Sequence, residues 1–172
     1  RIGEHYWYPG LGYGGSCLPK DVKELAAYAK AIHQNGNLMI KINELNGERI
    51  PQFMQKYSEL LGGWKDKKVA VLGLSFKPNT DDMREAPSTK VIPLLIQAGA
   101  NVKAYDPMAI HTAKAWFPDW NITYAATVKE ALQDADAVMI LVEWPELISL
   151  EVSELAKLVK PQALIIDARN QY

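Results

Sequence analysis

The sequence predicts an α/β protein: a Rossmann-like, mostly parallel sheet with helices on both faces, preceded by a short all-helical stretch. Three observations carry this. From residue 65 onward, short apolar runs of strand character alternate with helical stretches, an order that produces a parallel sheet covered on both sides. Before residue 65, an opening rich in aromatics and glycine leads into two helical patterns. The polar hinge Lys65-Asp66-Lys67-Lys68 marks the change, dividing the chain into residues 1–64 and 65–172.

Residues 1–18 read as a loop. From Pro19 to about His33, Val22, Leu25, Ala26, Ala29 and Ile32 follow helical spacing, and Gln34-Asn35-Gly36-Asn37 stops the helix. A second helical stretch starts near Leu38 and runs to Leu61, with an interruption expected before Pro51; Gly62-Gly63 ends it. Two such helices cannot enclose a core between them, so they read as part of a larger helical unit. In the second part, residues 69–72 form a buried-type strand, followed by a loop over 75–87 and a helix over 88–97. A strand over 102–105 closes at Asp106-Pro107. A short helix over 110–116, a strand near 122–124 and a helix over 128–132 capped by Thr127 come next. A strand over 137–142, a helix over 151–159 and a last strand over 163–167 complete the pattern.

Composition excludes several function classes. The 172 residues carry 19 basic and 20 acidic side chains, a formal net charge of −1, which argues against a general nucleic-acid or membrane-surface binder. No apolar run approaches the ~20 residues that span a bilayer, and no signal-peptide pattern is visible. One cysteine forms no internal disulfide, and His5, His33 and His111 have no metal-ligand spacing, so no metal site is expected. These features read as cytoplasmic.

The stretch richest in chemistry is Gly10-Leu11-Gly12-Tyr13-Gly14-Gly15-Ser16-Cys17-Leu18-Pro19-Lys20-Asp21. Its glycines let backbone pack close to a ligand, and Pro19 suits the first turn of a helix. A helix N-terminus with a nearby cation favours the thiolate, which makes Cys17 a candidate nucleophile. The bland alternative is a small buried hydrophobe. Gly10, Gly12 and Gly15 also match the dinucleotide pattern G-x-G-x-x-G. That pattern requires a preceding strand and an acid some 20 residues on. Tyr6-Trp7-Tyr8-Pro9 precedes instead, and Ile32-His33-Gln34-Asn35 holds no acid. After the first strand only Gly73 stands, so the sheet reads as binding something other than a dinucleotide. Ligands of such sheets sit beyond the carboxyl ends of the strands. Residues 75–84, Asp106, 143–146 and 167–169 all fall there.

The segment from Gly12 to Val22 closely resembles the active-site segment of the nucleotide-sugar dehydrogenases that oxidise UDP-glucose to UDP-glucuronate. Gly73-Leu74-Ser75-Phe76-Lys77-Pro78-Asn79-Thr80-Asp81-Asp82-Met83-Arg84-Glu85 resembles the opening of that family's C-terminal domain. Glu143-Trp144-Pro145-Glu146, Asp167-Ala168-Arg169-Asn170 and Arg1-Ile2-Gly3 match further family segments, in family order. The resemblance implies a four-electron, NAD-dependent oxidation in which Cys17 carries a thiohemiacetal and then a thioester. Asp21 matches the acid that assists with water or proton transfer, four residues on along one helix face; the alternative is a first-turn carboxylate favoured by the helix dipole. Tyr6, Tyr13, Gly14 and Gly15 match the loop that wraps the sugar and diphosphate, and Gly14 also falls beside the cofactor. For both tyrosines, core packing is the alternative. Arg1 matches an arginine reaching the neighbouring subunit's substrate, Lys77 and Arg169 match substrate contacts, and Arg84 lies near the cofactor. For Lys77 and Arg84 the alternative is a mixed-charge surface loop. Lys20 reads as a solvated helix residue, and Trp144 and Pro145 as shaping their loop.

The resemblance covers the tail of the family's helical dimerisation region and its C-terminal domain, so the implied partners are UDP-glucose, an N-terminal NAD-binding domain that this chain lacks, and a second copy in a homodimer. The chain alone is expected not to turn over. Two other readings stay open: a non-catalytic nucleotide-sugar-binding or dimerisation module, and a dehydrogenase for GDP-mannose or UDP-N-acetylmannosamine.

Overall fold

The computed structural model describes residues 10–172. The chain runs through α1 (Leu18–Ala31), α2 (Asn37–Leu61), β1 (Lys68–Leu72), α3 (Ser88–Gln97), β2 (Asn101–Tyr105) and α4 (Ile110–Trp116). It continues through β3 (Ile122–Tyr124), α5 (Val128–Leu132), β4 (Ala137–Ile140), α6 (Pro145–Ile148), α7 (Val152–Leu158) and β5 (Leu164–Asp167). The five strands form one sheet in the order β3-β2-β1-β4-β5, and every pairing is parallel. Register runs Val69↔Val102 on one side of β1 and Val69↔Ala137 on the other. Strand order therefore reverses between β1 and β4, and the crevice at their carboxyl ends is where such sheets take ligands.

Burial explains the sheet. The β4 strand is buried along its whole length and β1 is buried beyond Lys68, as expected of central strands covered on both faces. Right-handed crossovers put α3 and α4 on one face and α5 and α7 on the other. Accordingly α3 packs on β2, while α5 packs on β1 and β2 and touches α7. Thr127 caps α5: its Oγ1 accepts the Glu130 amide at 3.2 Å, and Glu130 Oε2 accepts the Ala126 amide at 2.8 Å.

The helical pair behaves differently. Pro19 is the only buried residue of α1, and α2 buries only Ile50 and Met54, so the pair has no core of its own. Its far end joins the sheet instead. Gly62 closes α2 in the left-handed region, and Trp64 is buried at the junction, donating from Nε1 to the Met54 carbonyl at 3.3 Å. The interruption expected before Pro51 does not occur, since α2 is continuous through it. Proline inside a helix costs about 3 kcal/mol. Here Ile50 and Met54 are buried on either side of it, with Phe53, Tyr57 and Leu61 packed on the same core, and this burial holds the helix together. Two smaller differences concern the region after β4. The strand ends at Ile140 rather than Val142, and a four-residue helix, α6, forms within the loop that follows.

Candidate active site

The glycine-rich loop lies on the carboxyl edge of the sheet, and its small residues are what allow it to. A Cβ on Gly14 would stand 2.3 Å from the Glu85 carbonyl oxygen. Gly15, at φ +79°, donates its amide to the Arg84 carbonyl at 3.0 Å. A Cβ there would meet the Phe76 ring at 2.8 Å. At the other end of the loop, Gly10 abuts Arg169, whose Nη1 would be 2.9 Å from an added Cβ. Asn46 of α2 clamps the middle: Oδ1 accepts the Tyr13 amide at 2.9 Å and Nδ2 donates to the Tyr13 carbonyl at 3.1 Å. The loop is thereby held between α2, the β1 loop and the end of β5.

This docking carries Cys17 to the N-cap of α1, where its thiol is exposed. Ser16 Oγ lies 3.8 Å from the sulfur. Asp21 donates its amide to the Cys17 carbonyl at 2.8 Å and shares the exposed start of the helix with it. Lys20 Nζ reaches Asp21 at 2.9 Å and Glu24 at 3.3 Å. Those two carboxylates hold its ammonium above the usual lysine range, Asp21 contributing more. Lys20 thus belongs to a solvated ion-pair ladder rather than to the sulfur. The Tyr13 hydroxyl is buried with no hydrogen-bond partner among the described residues, and burial pushes it above the usual phenol range.

The β1 loop supplies two cations. Lys77 is exposed, with Nζ 5.3 Å from the centroid of the Phe76 ring, the same ring on which Gly15 rests. Arg84 is gripped by Asp82, with Nη2 2.7 Å from Oδ2 and Nε 3.0 Å from Oδ1. The guanidinium's hydrogen bonds hold the Asp82 carboxyl below the usual carboxylate range. The Arg84 guanidinium is held up chiefly by Asp82, with the smallest push coming from the Cys17 sulfur. Across the sheet edge, Arg169 Nη2 donates to Glu143 Oε1 at 2.8 Å. Arg169 Nε lies 2.7 Å from Oε2, close enough for an ion pair but misaligned for a hydrogen bond.

Of the residues singled out in the sequence, Cys17, Asp21, Tyr13, Gly14, Lys77, Arg84 and Arg169 all lie on or beside this loop and the strand ends facing it. Arg1 and Tyr6 fall outside the described residues. Trp144 is buried with its indole N–H on Asp106, in keeping with a loop-shaping role. Three contributors escaped the sequence reading: Asn46, the ring of Phe76, and Glu143 as the holder of Arg169. Phe76 and Glu143 stand within stretches the sequence singles out, but nothing there marks what they hold, and Asn46 left no signal. A cavity of about 410 Å³ opens beside Gly10, between Arg49, Phe53 and Tyr57 of α2 and Asp167, Ala168 and Asn170. No group of three or more potential metal ligands occurs among the described residues. No helix among them is long and apolar enough to cross a membrane. Just after β1, Gly73 lies in the left-handed region with Val142 packed against it, so that a Cβ there would overlap the valine at 2.5 Å.

Comparison with known proteins agrees with this architecture. Residues 70–172 match the UDP binding domain of the UDP-glucose/GDP-mannose dehydrogenase family, and residues 1–48 match its central domain. The whole chain is 41% identical to UDP-glucose 6-dehydrogenase TuaD of Bacillus subtilis, covering 37% of that protein. It is 40% identical to UDP-glucose 6-dehydrogenase YwqF of the same organism, covering 39%. A UDP-glucose dehydrogenase from Pyrobaculum islandicum superposes over 98% of this chain and 37% of its own, with a TM-score of 0.84 and 35% identity. The chain thus spans well under half the length of the relatives it matches. With its sheet-forming part matched through to the last residue, the chain belongs to the UDP-glucose/GDP-mannose dehydrogenase family.

Proposed function

We propose that this chain supplies the thiol and the sugar-nucleotide face of an NAD-dependent UDP-glucose 6-dehydrogenase, and that it does not turn over alone. The observation that carries the reading is the docking of the Cys17 loop, through Gly14 and Gly15, onto the β1 loop that holds Lys77 and Arg84. One nucleotide sugar lying along this edge would meet a sulfur at one end and the Arg169 fork further along.

In this reading the Cys17 thiolate adds to the C6 aldehyde of the oxidised sugar, forming a carbon–sulfur bond while the carbonyl oxygen takes a proton. When bound by a separate domain, NAD⁺ would supply the hydride acceptor for both oxidations. Water then attacks the thioester and releases the carboxylate and the thiol. Asp21, one turn along the same helix, is suited to guide that water or take its proton. Lys77 acts as a point charge toward the sugar or phosphate, and the buried Tyr13 hydroxyl is a donor waiting for an acceptor. Arg169, held by Glu143 on one edge, contacts the diphosphate, which leaves the cavity beside residues 167–170 for the nucleoside. Tyr6 and Arg1 complete the substrate face, Arg1 from the neighbouring subunit, and Gly14 and Arg84 border the cofactor. The division at residue 65 into a helical dimerisation part and a sugar-nucleotide domain belongs to this reading. The exposed Leu25 and Tyr28 of α1, Ile32 just after it, and Leu38, Ile40 and Leu45 of α2 support a homodimer, because single domains rarely leave such apolar stretches uncovered. A single reduced, exposed thiol suits the cytoplasm.

Two measurements test the proposal. Calorimetry of the chain with UDP, UDP-glucose and GDP is expected to give binding to the uridine ligands; tighter GDP binding would overturn the substrate assignment. NADH formation from UDP-glucose and NAD⁺ is expected to be absent with the chain alone, and turnover matching a full-length relative would overturn the second half of the reading.

A further inference from the structure

Asp106 ends β2 and is 1% exposed, yet no cation pairs with it among the described residues. Backbone and side-chain donors from three strand ends satisfy it instead. Its Oδ1 accepts the amides of Met108 and Ala109, both at 2.8 Å. Its Oδ2 accepts the amides of Leu74 at 2.7 Å and Ser75 at 3.2 Å, from the end of β1. The same oxygen accepts the indole N–H of Trp144 at 3.1 Å, from the end of β4. The Ser75 hydroxyl stands between two acceptors, 3.3 Å from Asp106 Oδ2 and 2.8 Å from the Lys77 carbonyl. A buried carboxylate so placed is a fixed post rather than a ligand group, since a lost donor would leave charge unsolvated.

What hangs from that post is the pair of cations on the sheet edge. Ser75 holds the backbone of Lys77. Trp144 adjoins Glu143, which holds the fork of Arg169. Lys77 and Arg169 lie 92 positions apart in the chain; Lys77 is tied to Asp106 through Ser75, and Arg169 through Glu143 and its neighbour Trp144. We propose that Asp106 is the positioning residue of the sugar-nucleotide face: through Ser75 and Trp144 it fixes the separation of Lys77 from Arg169, and so the span of the anionic ligand this edge accepts. The proposal rests on the reading of that edge as a binding face for a nucleoside diphosphate.

The test is a pair of double-mutant cycles on UDP affinity, with one readout that needs no ligand. Asp106→Asn is expected to weaken UDP about tenfold. Because that variant risks misfolding, Ser75→Ala and Trp144→Phe each remove a single donor. Each is expected to weaken UDP about three- to tenfold. The Trp144→Phe loss should vanish in an Arg169→Ala background, and the Ser75→Ala loss in a Lys77→Ala background, while the crossed pairs add. In the ligand-free protein, Trp144→Phe should shift the Arg169 Nε–Hε NMR cross-peak and Ser75→Ala should leave it in place. Equal losses in every background, or an unmoved cross-peak in Trp144→Phe, would overturn the positioning role. Failure of the unaltered chain to bind UDP would sink the nucleotide reading itself, and the cross-peak would still decide whether Asp106 sets Arg169.

Discussion

Gly14→Ala is the sharpest probe of how the thiol is held. A Cβ at this position would sit 2.3 Å from the Glu85 carbonyl oxygen and 3.1 Å from its carbonyl carbon. Both are backbone atoms, and Glu85 is itself held at φ +53° in the left-handed region, so neither side yields by turning a side chain. Ordinary contact requires the two backbones to separate by about 1 Å. If the loop stays docked, the overpacking costs about 1–3 kcal/mol. If it lifts, it loses the hydrogen bond from Gly15 to Arg84, about 1 kcal/mol, together with the seat of Gly15 on Phe76. Lifting is the cheaper escape. The variant should therefore open the loop locally while the sheet, which shares none of these contacts, keeps its stability. The assay is amide hydrogen exchange at Gly15, expected to speed up by about 5- to 100-fold. UDP affinity should fall alongside, with little change in Tm. A Gly15 amide as protected as in the unaltered protein would refute the account of the glycine as a contact requirement.

Three other substitutions separate the remaining forces. Gly47→Ala in α2 meets nothing within 4 Å, so it should stabilise the chain by about 0.5–1 kcal/mol, seen as a raised Tm. Thr127→Ala removes the α5 cap and should cost about 1 kcal/mol in thermal or urea melts. Tyr105 is pushed up to about 12, first by burial and then by its hydrogen bond to Glu146, with smaller pushes from the charges of Glu146 and Asp106. The folded state thus prefers the neutral phenol: its contribution is complete below the ordinary value of 10.0 and is lost as pH rises toward about 12. Tyr105→Phe should flatten the fall in Tm over that window, and an unchanged alkaline slope would exclude Tyr105 as its source.

How far the sequence speaks depends on the range of the force involved. The limits of α3 and α4 coincide with their sequence reading because both are set locally, by Pro87 before α3 and Ala98-Gly99 after it, and by Asp106-Pro107 ahead of α4. The break expected at Pro51 fails because a local penalty meets burial by residues far along the chain. The α6 helix is too short at four residues to show any period. At the candidate site, glycine, cysteine and charge are visible as types, but their holders are not. Nothing in the sequence spacing says that Asn46 grips Tyr13 across 33 positions, or that Glu143 takes the fork of Arg169 across 26.

The stretch in which Gly10, Gly12 and Gly15 match a dinucleotide pattern has different surroundings from a dinucleotide-binding loop. In a dinucleotide-binding sheet the glycines follow β1 and let a pyrophosphate approach the first helix. Here the position after β1 holds only Gly73, with Val142 packed against it, and the segment that follows is the charged loop of Lys77 and Arg84. The glycine-rich stretch comes from the opposite direction in the chain and is laid over that same carboxyl edge, with Gly10 against Arg169, Gly14 against Glu85 and Gly15 against Phe76. Its glycines are required by close contacts with protein. The edge that a dinucleotide-binding sheet would present to its own cofactor is thus roofed by the loop carrying the thiol. In the proposed reading, a ligand at the usual crevice of such a sheet lies against that roof, within reach of the sulfur.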